Sequence, residues 1–121
     1  MGQRECVLVI PAHNEAATIS PLVESLVCHF KVIVVDDFST DNTSSIARES
    51  GAFVIRHSKN LGYEAALNTG FNAAVIHHGA DVVITMDADG EHDVGCALLF
   101  KEQFANRAIS LALGVRQKPN R

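Results

Sequence analysis

Short apolar runs rich in Val, Ile and Leu recur along the chain: Cys6 to Ile10, Lys31 to Val35, Phe53 to Ile55, Val82 through Ile84 to Met86, and Ile109 to Val115. Bounded by polar residues, each reads as a buried strand of a parallel sheet, with Pro11 ending the first. Between them the apolar residues shift to helical spacing. Ile19, Leu22, Val23, Leu26 and Val27 predict an amphipathic helix over Glu15 to His29, with Asn14 as its cap. A proline inside that helix would cost about 3 kcal/mol, so the expected start lies nearer Ser20, with Pro21 in the first turn. Asp41 predicts the cap of a second helix through Ile46, Ala47 and Arg48 to a stop at Gly51. Leu67, Phe71, Ala74 and Val75 predict a third from Glu64, closing at His77, His78 and Gly79. Ala97, Leu98, Phe100, Lys101 and Phe104 predict a fourth.

Strands alternating with helices at this spacing specify an α/β fold, a mostly parallel twisted sheet flanked by helices with right-handed crossovers. The 121 residues suffice for a single domain with one core. In such sheets ligands sit beyond the carboxyl ends of the strands, near the point where strand order reverses. Pro11 to Glu15 (PAHNE), Asp36 to Asp41 (DDFSTD) and Asp87 to Asp93 (DADGEHD) all occupy strand carboxyl ends. Three polar segments distant in sequence should therefore converge on one crevice.

Charge sharpens that expectation. Asp87, Asp89, Glu91 and Asp93 fall at every second position, directly after an apolar run. Two carboxylates about 4 Å apart repel by roughly 4 kcal/mol at an effective dielectric near 20. A hard divalent cation such as Mg²⁺ or Mn²⁺ relieves this through carboxylate ligands and keeps positions open for substrate phosphates. The net charge of −4 leaves no basic stripe, so no nucleic-acid partner is expected. The 3 cysteines, Cys6, Cys28 and Cys96, are odd in number and lack the paired spacing of a zinc site, which suits reduced thiols. No apolar run is long enough to cross a bilayer, and the N-terminus lacks the apolar stretch of a secretory signal, so a cytoplasmic location is expected.

With these residues in place, the chain resembles the nucleotide-binding half of the family 2 glycosyltransferases, which have the GT-A fold. The elements that carry the resemblance are IPAHNE (Ile10 to Glu15), VVDDFSTDNT (Val34 to Thr43), NLGYEAALNTG (Asn60 to Gly70) and DADGEHD (Asp87 to Asp93), in order and at the right strand ends. Within that family it is most similar to enzymes that load a sugar onto a polyprenyl phosphate, such as the dolichyl-phosphate mannose synthases.

The resemblance implies a nucleotide-diphosphate sugar, UDP- or GDP-linked, as donor, with Mn²⁺ or Mg²⁺ as cofactor. It implies that Pro11, Ala12, Asn14 and Glu15 line the nucleotide pocket, that Asp37 accepts a hydrogen bond from the base, and that Asp36 supports that loop. It implies that Asp87 and Asp89 serve the metal and the ribose or diphosphate, with Ala88 between them against the nucleotide and Glu91 adding a metal ligand. His92 is a candidate for the diphosphate or the metal, and Arg116 for the donor sugar. The acceptor is a polyprenyl phosphate or a glycan; with the former, the intact protein would work peripherally at a membrane surface.

The sequence departs from the family pattern at Glu91, where Gln is usual, and at Val94, where Pro is usual. Glu64 adds charge to a loop more often small or basic. The acceptor-binding half, with its catalytic base, is expected beyond Arg121, so no catalytic base is assigned and the chain taken alone is expected to be incomplete for turnover. Two alternatives stay open: a nucleotide-binding module without chemistry, and a phosphoacceptor receiver domain, which Asp36, Asp37, Asp87 and Lys118 imitate at the wrong spacing. His13 and His57 fall in loops near the crevice and are read as solvent-exposed. Asn60, Gly62 and Gly70 are read as serving turn geometry and close helix packing first and ligand contact second.

Overall fold

A computed structural model describes residues 5–88 in full and the backbone of Ala112–Gly114. Strands β1 (Cys6–Ala12), β2 (Lys31–Asp36), β3 (Phe53–Arg56), β4 (Val82–Thr85) and β5 (Ala112–Gly114) alternate with helices α1 (Ala16–Leu26), α2 (Thr43–Glu49) and α3 (Tyr63–His78). The strands form one sheet in the order β3-β2-β1-β4-β5, and every pairing is parallel. The chain moves outward from β1 to β3 and then returns to the other side of β1, so the order reverses between β1 and β4. A receiver-type doubly wound sheet would instead run 2-1-3-4-5.

Period-2 alternation divides the core between the two faces of the sheet. Leu8, Ile10, Val32, Val34 and Ile84, at even positions, pack against Ile19, Val23 and Leu26 of α1 and Ala47 of α2. Val7, Val9, Ile33, Val35 and Val83, at odd positions, pack against Ala66, Ala73 and Ala74 of α3. The α3 face is therefore built from small residues, whereas Leu67 and Phe71 are only half-buried and Val75 is exposed. Gly70 completes that stripe. A Cβ there would stand 2.3 Å from Cγ1 of Val9, so only glycine lets the helix lie this close to β1.

Two prolines sit further inside elements than expected. Pro11 lies within β1 instead of ending it. The Ala12 carbonyl accepts from the Asp37 N–H and the Val9 carbonyl from the Met86 N–H, so odd residues of β1 turn their backbone groups toward β4. That neighbour ends at Thr85, and the donor Pro11 lacks is not needed there. Pro21 stands in the interior of α1, which starts at Ala16 rather than near Ser20. The proline is on the exposed face, while Ile19, Leu22, Val23 and Leu26 bury the opposite one. Burial of four such side chains contributes about 1.5–3 kcal/mol each, which exceeds the local cost of the proline.

Asn14 does not cap α1. It adopts a left-handed backbone (φ 56°), and Glu15 occupies the cap position. The first turn is instead served from the next loop, where Asp41 accepts from the Ala16 N–H at 3.3 Å and Thr43 Oγ1 from the Glu15 N–H at 2.9 Å. Asp41 also takes the Thr43 N–H at the start of α2. Hydrogen bonds from the Thr43 hydroxyl and from the backbone amides of Thr43, Ala16 and Asp41 itself hold its carboxyl below the usual carboxylate range. The expected helix over Ala97 to Phe104 lies outside the described residues.

Candidate functional site

A crevice of about 480 Å³ opens at the carboxyl ends of the strands, beside the reversal point between β1 and β4. This is the size of an ordinary small-molecule site. Pro11, Ala12, His13 and Glu15 come to it from β1 and the loop before α1. Asp37 reaches it from the end of β2, and Asp87 and Ala88 from the end of β4. The remaining wall, Asn60, Gly62, Tyr63 and Ala66, comes from the segment between β3 and α3.

The two strand-end acids in the crevice lie on the same side of the sheet. Positions 37 and 87 are odd, like the strand residues that face α3, and both side chains bond to groups at or before the start of that helix. The Asp37 carboxylate is buried, 5% exposed, and accepts from His57 Nδ1, the Leu61 N–H and the Gly62 N–H, each at 2.8 Å. Burial by itself pushes this carboxyl up; the hydrogen bond from His57, those from the two amides and the attraction of the imidazole outweigh it. The net result is a carboxyl held below its ordinary value of 3.8. Gly62 supplies one of those amides from a backbone with φ 103°, a conformation that side chains rarely adopt.

His57 is not solvent-exposed, contrary to expectation. It is 8% exposed because its Nε2 meets Thr69 Oγ1 of α3 at 2.8 Å while Nδ1 meets Asp37. His13 is exposed, and its Nδ1–H donates to the Asp37 carbonyl at 2.9 Å.

Asp87 is half-buried at the crevice, and the Tyr63 hydroxyl donates to its Oδ1 at 3.0 Å. Ala88 is buried, and its carbonyl accepts from Thr18 Oγ1 at 2.6 Å, which ties the end of β4 to α1. Asp36 and Asn14 support the wall without lining it. Asp36 is wholly buried on the opposite face, accepting from the Ser39 N–H and hydroxyl and from the Ser44 hydroxyl, with Arg56 Nε 3.7 Å away. Asn14 Oδ1 accepts from the Thr40 N–H at 2.8 Å, which joins the first loop to the second. Asp89, Glu91, His92 and Arg116 lie outside the described residues.

Tyr63 and Ala66 were not assigned to the pocket from sequence, and Asn60 was given ligand contact only as a second role. The signal for them was the position of NLGYEAA after a strand carboxyl end, which places it beside the crevice as surely as PAHNE or DDFSTD. Among the described residues no three His, Cys, Asp or Glu side chains cluster closely enough to hold a metal ion by themselves. At the end of β4 the Asp87 carboxylate lines the crevice with oxygen, the donor type that hard divalent cations take. Nor is any helix among the described residues long and apolar enough to cross a membrane.

A parallel α/β sheet with a crevice at its reversal point, walled by strand-end carboxylates, defines a ligand-binding domain of the doubly wound class. The comparisons with known proteins specify it further: residues 7–120 match the pattern of Glycosyl transferase family 2, and the chain belongs to that family. It is 40% identical to an uncharacterised protein of Methanocaldococcus jannaschii, across 76% of this chain and 38% of that protein. It is 34% identical to the UDP-N-acetylglucosamine–dolichyl-phosphate N-acetylglucosaminyltransferase of Methanococcus voltae, across 76% of this chain and 44% of the enzyme. Among solved structures it is similar to glucosyl-3-phosphoglycerate synthase from Mycobacterium tuberculosis in complex with Mn²⁺, UDP-glucose and phosphoglyceric acid. That match has a TM-score of 0.61 and 31% identity, and covers 70% of this chain and 33% of that one. The chain thus spans less than half the length of these relatives.

Proposed function

We propose that this chain forms the donor side of a glycosyltransferase that uses a UDP- or GDP-linked sugar with Mn²⁺ or Mg²⁺ and transfers the sugar to a polyprenyl phosphate or a glycan. The observation that carries this reading is the meeting of Asp37 and Asp87, fifty residues apart in sequence, in one crevice at the reversal point of the sheet. Membership of Glycosyl transferase family 2 and the UDP-sugar and Mn²⁺ named for the structural relative support it. The dolichyl phosphate named for the archaeal relative supports a polyprenyl phosphate acceptor, and with it peripheral work at a membrane surface.

On this reading the base lies toward Asp37 and the diphosphate toward Asp87. Three of the roughly four acceptor sites of the Asp37 carboxylate are taken by described groups, which leaves one on Oδ2 for an N–H of the base. Pro11, Ala12 and Glu15 wall the nucleotide from the β1 side. Asp87 would hold the divalent ion together with Asp89 and Glu91, and the bound ion would offset the negative charge that develops on the departing diphosphate. The Tyr63 hydroxyl orients the Asp87 carboxylate.

Calorimetry of the full chain with UDP and GDP, each with and without Mn²⁺, tests this directly. The expected result is nucleotide binding that requires Mn²⁺ and is lost in Asp87→Asn. Binding of neither nucleotide would overturn the reading. Nucleotide binding that needs neither Mn²⁺ nor Asp87 favours the second reading, a nucleotide-binding module without turnover.

A further inference from the structure

Behind the crevice wall stands a polar group that packing alone does not require. His57 lies directly beyond β3 and is buried, 8% exposed, with its ring between Asp37 at the end of β2 and Thr69 of α3. Burying an imidazole is unfavourable unless both nitrogens are bonded, and here both are, at 2.8 Å each. The backbone fixes the ring from behind, because the His57 N–H donates to the Asp36 carbonyl at 2.9 Å. Thr69, half-buried on α3, holds the far side of the ring. A carboxylate only accepts, so Nδ1 carries the proton toward Asp37. His57, Leu61 and Gly62 together determine which way the Asp37 carboxylate is turned.

We infer that His57 is a positioning residue for base recognition: braced by Thr69, it turns the Asp37 carboxylate so that one acceptor site on Oδ2 stays available to an N–H of the nucleotide's base. This rests on the donor-site reading given above. It adds a side chain that never touches the nucleotide yet sets how well the base is told from one lacking that N–H. Losing a charge-assisted hydrogen bond of this kind lowers discrimination about tenfold.

The test is calorimetry of the full chain with Mn²⁺ and two pairs of probes, UDP with N3-methyl-UDP and GDP with N1-methyl-GDP. Each methyl group removes the ring N–H and leaves the diphosphate intact. The wild type is expected to prefer one parent nucleotide over its methylated form. His57→Leu should shrink that preference about tenfold while weakening the methylated probe little. His57→Asn, which returns a donor near the Nδ1 position, should restore most of it, and Thr69→Val should give an intermediate loss. A folded His57→Leu protein with unchanged preference overturns the inference. If His57→Leu does not fold, Thr69→Val decides: a reduced preference supports the inference and an unchanged one overturns it. The donor-site reading fails separately. It falls, and this inference with it, if the wild type binds no nucleotide or does not discriminate within either pair. Discrimination abolished by Asp37→Asn but untouched in the His57 and Thr69 variants removes only the role of His57.

Discussion

The ends of β2 and β4 look alike in sequence, each an apolar run that stops in aspartates, yet the protein treats their carboxylates differently. At the end of β2 the acids are enclosed. Asp36 is bonded by Ser39 and Ser44 beside Arg56, and Asp37 by His57 and two backbone amides. At the end of β4, Asp87 is half-buried at the crevice, with the Tyr63 hydroxyl on one oxygen. Both Asp37 and Asp87 line the crevice, but Asp37 is buried and held on both oxygens by donors from the segment after β3, while Asp87 is half-buried. How far an aspartate is enclosed depends on the donors that other segments bring to it.

The largest expected effect separates the two strand ends. Asp87→Asn should weaken Mn²⁺-dependent nucleotide binding by at least about a hundredfold, the upper end of what even outer-shell partners of a metal cost, and should leave urea unfolding almost unchanged. Asp36→Asn should do the reverse, lowering stability by about 1–3 kcal/mol in urea melts because buried hydroxyl donors lose an ionised acceptor. Equal stability losses in the two variants would erase the contrast. Gly70→Ala tests the scaffold the two acids share: overpacking against Val9 should cost about 1–3 kcal/mol, measured by the same melts. Tyr63→Phe should lower Mn²⁺ affinity by about tenfold in calorimetric titrations.

The smallest effect concerns acid. The Asp37 carboxyl is held below its ordinary value of 3.8 in the folded chain, so its charge stabilises the fold fully above that value. The contribution is lost as pH falls through the lowered value. Urea melts between about pH 5 and pH 2 should therefore show a steeper loss in the wild type than in Asp37→Asn. Parallel pH profiles would mean that the enclosure of Asp37 is not electrostatically productive.

The alternation of apolar runs with helical spacing was enough to establish the parallel α/β sheet and to send PAHNE, DDFSTD and the start of DADGEHD to one end of it. Period-2 counting from Val9, Val35 and Val83 would also have placed Asp37 and Asp87 together on the α3 face. Less legible was α3 itself. Leu67, Phe71 and Val75 drew attention by size, whereas Ala66, Gly70, Ala73 and Ala74 make the contact, because a helix laid this close to a sheet has room only for small side chains. Pro11 differs from expectation for a related reason, since its cost depends on whether the neighbouring strand, distant in sequence, needs the missing donor; for Pro21 the burial of Ile19, Leu22, Val23 and Leu26 outweighs the local cost.

By itself, then, the sequence determined the order of elements, the face each strand residue occupies and the gathering of acids at the strand ends, all of which follow from local periodicity. Only the tertiary structure decided that His57 is buried against Thr69, that Asn14 ties one loop to another instead of capping its helix, and that Tyr63 meets Asp87. Those outcomes are hydrogen bonds between segments remote along the chain, and a bond of that kind is specified by where the backbone carries its two partners, not by the residues around either one.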